Sequence, residues 1–143
     1  MVSTDIIKQF EGCQLKAYLC PAKKWTIGYG STYHPNGVAV KEGDTITQSQ
    51  ADQYLSIEAE KRIAEMRLPS NLNDNQKAAL LSLQYNIGQG RWMSSTIRKK
   101  VLNNPSDPSI RDEFMKWINK GSSFEKGLRR RRQAEADLYF SNP

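Results

Sequence analysis

Three side chains near the start of this chain could carry out acid–base chemistry together. Glu11 is followed after eight residues by Cys20 and after five more by Thr26, within the stretch EGCQLKAYLCPAKKWTIGYGST. A carboxyl group among apolar neighbours can keep its proton at neutral pH, because burial disfavours the charged form, and such an acid can protonate a leaving glycosidic oxygen. Glu11, after Ile6, Ile7 and Phe10, suits that role. A second group must then deliver or stabilise water on the opposite face of the sugar, and Cys20 with Thr26 is the pair available. Taken alone, the same residues also read as an exposed acid, a small buried thiol and a solvated hydroxyl, since free cysteine commonly behaves as a small hydrophobe.

The elements that must position them follow from local pattern. Ser3 or Thr4 caps a short helix with Ile6, Ile7 and Phe10 on one face, and Gly12 stops it, which puts Glu11 on the last turn. Residues 14 to 30 alternate as a hairpin: Leu15, Ala17 and Leu19, a turn at Pro21-Ala22-Lys23-Lys24, then Trp25, Ile27 and Tyr29. Residues 31 to 46 read as a turn-rich third strand or loop. His34, the only histidine, falls there and reads as a solvated surface residue. Having no Cys, His or acidic partner at metal-ligand spacing, it implies no metal site, and the sequence calls for no cofactor.

The rest of the pattern is helical. Thr47 with Gln50 forms a capping box that opens a helix over 48 to 67, with Tyr54, Leu55, Ile57, Ile63 and Met66 inward, and Leu68-Pro69 stops it. Asn73 or Asp74 starts a helix that is apolar nearly all round, the mark of a central buried element, and Gly88 ends it. Ser94 or Ser95 caps a helix through Asn103, Asp107-Pro108 opens another carrying Ile110, Phe114, Trp117 and Ile118, and the last begins near Gly127. The latter holds four consecutive arginines, Arg129 to Arg132; they point round most of a helix, so most should be solvated or paired on the surface.

Composition bounds the partners. At 143 residues the chain forms one domain large enough for a hydrophobic core without staples. No apolar run reaches membrane-spanning length, so no stable membrane insertion is expected, and MVSTDIIKQF has no signal-peptide or anchor pattern. The net charge of +6 favours polyanionic partners, yet no basic face with interleaved aromatics suggests nucleic acid. Cys13 and Cys20 are the only cysteines; they read as reduced thiols, with a bridge between them as the alternative that would tie up the reactive one.

The order Glu11, Cys20, Thr26, Ile27-Gly28-Tyr29-Gly30 resembles the active-site signature of the phage-type lysozymes, glycoside hydrolase family 24. The likeness continues in Ala79 to Gly88, Ser95-Thr96-Ile97-Arg98-Lys99, Phe114 with Trp117, and Gly127-Leu128 before the arginines, so it spans about the whole chain. It implies a mainly helical α+β, two-lobed lysozyme-like fold: a β-sheet lobe at about 12–46, a helical lobe from 1–11 and 70–143, and a connecting helix at 47–68. It also implies hydrolysis of the β-1,4 bond between N-acetylmuramic acid and N-acetylglucosamine in peptidoglycan by a monomer, with an idle wall-binding domain as the rival. Glu11 would be the general acid, Cys20 the water-activating or nucleophilic group and Thr26 the orienting hydroxyl. Thr32, Tyr85, Asn86 and Thr96 would bind substrate. One arginine would reach the catalytic acid and another brace the helix, here taken as Arg129 and Arg132. The resemblance further implies residence in the host bacterial cytoplasm until a separate membrane-permeabilising protein opens the way to the wall. Two departures stand out: Cys20 where many relatives have Asp, and Ser31 where they usually have His.

Overall fold

The computed structural model describes residues 2–143. It is mainly helical with one small antiparallel sheet: α1 (Asp5–Glu11), β1 (Gln14–Leu19), β2 (Trp25–Gly28), α2 (Gln48–Met66), α3 (Asp74–Ile87), α4 (Gln89–Ser94), α5 (Thr96–Asn103), α6 (Ile110–Phe114) and α7 (Glu125–Tyr139).

α3 is the core helix that its composition predicts. Ala78 to Gln84 are all buried, and the helix packs against α7 as well as α1, α2 and α4. Leu80, Leu81 and Leu83 are fully buried, each contributing about 1.5–3 kcal/mol through apolar burial. Asn73 caps it through a reciprocal pair, its side chain accepting from Gln76 N–H at 2.8 Å while its own N–H donates to Gln76 at 2.9 Å. Thr47 and Gln50 do the same for α2, at 3.1 and 2.9 Å. α2 buries Ala51, Leu55, Ala59 and Met66, whereas Ile57, expected inward, is 53% exposed. The small alanines set the buried stripe, and Ile57 falls off it.

The hairpin also departs from simple alternation. Gln14 pairs with Gly28, but Tyr18 pairs with Thr26 and Leu19 with Trp25, so β1 carries a bulge between Gln14 and Tyr18. Of the expected inward residues of β1 only Ala17 is buried; Leu15 and Leu19 are exposed. The outer edge of β1 is held by the segment after the loop, with Ala17 N–H donating to Asp44 carbonyl at 2.9 Å and Ile46 N–H to Leu15 carbonyl at 2.8 Å. Residues 31–46 make isolated bridges rather than a third strand.

Further on, a short helix that the sequence pattern did not suggest, α4, follows Gly88 and buries Trp92, whose indole N–H donates to Met66 carbonyl at 3.0 Å. α6 stops at Phe114, leaving Trp117 and Ile118 in the turn beyond it. No helix among the described residues is long and apolar enough to cross a membrane.

Candidate active site

Glu11 ends α1 because Gly12, at φ +71°, leaves the helix there. Its carboxylate lies in a cavity of about 580 Å³ between α1 and the start of α7, lined also by Phe10, Asn86, Phe124, Leu128 and Arg131. Arg131 donates from one terminal nitrogen to Glu11 at 2.5 Å. The expected contact from Arg129 is absent: that side chain is exposed and pairs with Glu125 at 3.0 Å. The register of α7 is the reason, since it begins at Glu125 and turns Arg131 and Arg132 inward while Arg129 and Arg130 face solvent.

The two inward arginines form a buried network. Glu135, with no exposure, accepts from Arg131 Nε at 3.2 Å, from Ser82 hydroxyl at 2.6 Å and from Arg132. Burial pushes the Glu135 carboxyl up, opposed by the pull of Arg132, Ser82 and Arg131. Arg131 also donates to Ser82 carbonyl at 3.0 Å, and Arg132 to Trp117 carbonyl at 2.9 Å and to Asn86. Thus Asn86, proposed from sequence as a substrate ligand, lines the Glu11 cavity with its amide oxygen held by Arg132. A sequence signal existed for part of this: Arg131 and Glu135 stand at i,i+4. The contribution of Ser82, on another helix, carried none.

On the sheet, Cys20 closes the hairpin, its N–H donating to Lys24 carbonyl at 3.0 Å and its carbonyl accepting from Lys23 N–H at 2.8 Å. Thr26, 4% exposed, donates to Lys24 carbonyl at 3.0 Å. The backbone N–H of Lys24, helped by that of Ala22, holds the Cys20 thiol below its ordinary range, against some opposing desolvation. Both cysteines are free. They sit at opposite ends of β1, where an extended strand at about 3.3 Å per residue separates them by roughly 20 Å. A disulfide needs Cα atoms within about 7 Å, so this fold does not allow the alternative bridge.

Tyr18, overlooked in the sequence, ties these pieces together. It is the cross-strand partner of Thr26, so the two side chains share a face of the sheet. Burial raises its phenol, and negative charge at Cys20 and at Glu11 raises it further. The acid and the thiol therefore both lie within electrostatic reach of one phenol. The available signal was its place two residues before Cys20 in an alternating strand.

A second cavity, of about 360 Å³, lies between the loop after β2 and one face of α2, and is lined by Thr32, Tyr33, His34, Tyr54, Arg62 and Tyr85 among others. Thr32 and Tyr85 meet here as lining residues. Tyr85 donates to Tyr29 carbonyl at 2.7 Å, and Arg62, paired with Glu58 at 2.8 Å, stacks 4.4 Å above its ring. Burial raises the Tyr85 phenol strongly. Thr96 stands elsewhere, exposed on the first turn of α5, and lines neither cavity.

His34 is not the solvated residue its loop suggested. Its Nε2 lies 2.9 Å from Asp44 and its Nδ1 2.7 Å from Tyr54 hydroxyl, which clips the 31–46 loop to α2. The His34 contact is the largest influence holding the Asp44 carboxyl below its usual range. Ser31, where the resemblance leads one to expect His, exchanges backbone hydrogen bonds with Ile27 at 2.8 and 2.9 Å and lines this second cavity. No group of three or more metal-ligating side chains occurs among the described residues.

Comparison with known proteins identifies the family and the fold. The phage lysozyme family model matches residues 8–135. An endolysin of Acyrthosiphon pisum secondary endosymbiont phage 1 is 39% identical over 142 residues, which cover 95% of this chain and 93% of that protein. An endolysin of Bacillus phage PZA is 35% identical over 141 residues, 96% of this chain, although the chain spans only 53% of that longer protein. Among solved structures, the endolysin from Escherichia coli O157:H7 phage FAHEc1 superposes with a TM-score of 0.84 at 35% identity, covering 99% of this chain and 94% of that one. The chain belongs to the phage lysozyme family and is a glycoside hydrolase of the endolysin type.

Proposed function

We propose that this lysozyme cuts the β-1,4 bond between N-acetylmuramic acid and N-acetylglucosamine in peptidoglycan, with Glu11 as general acid and Cys20 with Thr26 handling the water. Glu11 gives its proton to the glycosidic oxygen as the bond to the anomeric carbon breaks. Water attacks that carbon from the opposite face, passing a proton to the Cys20 thiolate, while Thr26 orients it; the result is inversion. A thiolate attacking the carbon directly, to form a glycosyl-enzyme that water then opens, is the other route these groups permit. What supports the reading is Glu11 at the end of α1, opening into a cavity, with Cys20 and Thr26 on the hairpin that follows it, although neither of those two lines that cavity. The lowered thiol supports Cys20 as a base, and the cavities beside Glu11 and beneath Tyr85 supply room for sugars.

In this reading residues 12–46 form one wall of the groove, 1–11 with 70–143 the other, and 47–68 joins them. Thr32, Tyr85 and Asn86 contact the glycan; Thr96 lies outside the cavities and would act only on a longer or branched substrate. Arg131 takes the acid-facing role first assigned to Arg129, and Arg132 braces α7. The enzyme acts as a monomer, held in the host cytoplasm until a membrane-permeabilising protein admits it to the wall. A turbidity assay on permeabilised Gram-negative cells tests the core claim. Glu11→Gln should abolish clearing, and equal clearing by both proteins would leave only a wall-binding role.

A further inference from the structure

We infer that the small cavity between Trp25 and Tyr33 is an additional glycan subsite, remote from the bond that is cut, with aromatic rings as its walls and Lys24 as its anion-binding edge. The inference rests on the reading of the Glu11 groove as a glycan site. The cavity, about 220 Å³, is lined by Lys24, Trp25, Thr32, Tyr33, Ala39 and Val40. It shares Thr32 and Tyr33 with the cavity beneath Tyr85, so the two adjoin on either side of those residues. A glycan lying in the larger cavity would enter the smaller one by passing over Thr32.

Two features suit a sugar better than an empty surface. Tyr33 is 62% exposed, a large aromatic ring turned largely to solvent. Its backbone is nevertheless fixed: Tyr33 bridges Ala39, His34 N–H donates to Val38 carbonyl at 2.8 Å, and Val40 N–H donates to Thr32 carbonyl at 2.9 Å. The His34 contacts with Asp44 and Tyr54 then anchor this loop to α2. The ring is thus presented on a rigid support, which lowers the ordering cost of binding. Trp25, half-buried and paired across the hairpin with Leu19, is equally fixed. An aromatic face offers apolar area to the C–H face of a pyranose, while Thr32 and Lys24 supply polar contacts at its rim. Lys24 makes no ion pair among the described residues. Its ammonium is available to the carboxylates that muramic units carry.

The test uses uncross-linked wall glycan oligomers and calorimetry on the non-cleaving Glu11→Gln chain. An octasaccharide should bind about tenfold more tightly than a tetrasaccharide, because the longer chain can fill the Glu11 and Tyr85 cavities and still reach the smaller one, and a stacked aromatic contact is of that size. Tyr33→Ala should bring the ratio close to one, Tyr33→Phe should keep it, and Lys24→Glu should lower octasaccharide affinity most at low salt. A ratio that survives Tyr33→Ala in a chain with unchanged circular dichroism, or no length preference in the parent, overturns the subsite while leaving the lysozyme reading intact. Failure of the unsubstituted enzyme to cleave either oligomer, with no binding by Glu11→Gln, overturns both.

Discussion

Glu135→Gln removes the one negative charge shared by two buried arginines, and its cost can be worked from the contacts. Glu135 has no exposure and accepts from Arg131, Arg132 and Ser82. Glutamine replaces one accepting oxygen with an amide that can only donate. Either Arg132 on one side or Arg131 on the other must then face a donor with no water to compensate, whereas Ser82 can turn its hydroxyl and accept. Arg131 retains Glu11 as an acceptor, but Arg132 keeps only the neutral acceptors of Trp117 and Asn86. Breaking a buried ion pair from one side costs about 3–5 kcal/mol. At this chain length about 3 °C of Tm accompanies each kcal/mol, so calorimetry should show a fall of about 10–15 °C. Asp137→Asn, which breaks the exposed Arg111 pair from the same helix, is the control and should leave Tm unchanged. A fall equivalent to less than about 1 kcal/mol for Glu135→Gln would refute the claim that α7 is anchored by this network.

Two further outcomes concern the thiol. Cys20→Asp should keep wall-clearing activity and Cys20→Ala should lose most of it, with product NMR showing inverted anomers; retained activity in the alanine variant would mean that Thr26 and bulk water suffice. The thiol should alkylate with a midpoint below the reference value of about 8.5, because donors to sulfur favour the thiolate.

Much of the fold could be read along the chain because its signals are local. The two reciprocal caps at Thr47 and Asn73, the all-round apolar character of α3, and the Gly12 and Gly88 stops each depend on residues within a few positions of one another. The errors fall where the deciding partner is distant. Leu15 and Leu19 alternate as buried residues should, yet the bulge and the edge contact with 44–46 leave them exposed. His34 appeared solvated because Asp44 and Tyr54, its partners, belong to a later turn and to α2. α4 is too short for periodicity to reveal.

For the site, local pattern along the chain names the groups and their order: an acid at a helix end, then a thiol and a hydroxyl on a hairpin. Tertiary structure decided which arginine meets the acid, because helix phase over one residue turns a side chain by about 100°, and only packing against Ser82 and Glu135 chooses Arg131 over Arg129. It likewise decided that Cys13 and Cys20 stay apart, since an extended strand between them cannot bring its ends together. Chemical type is written residue by residue, whereas encounter depends on the path the chain takes between them.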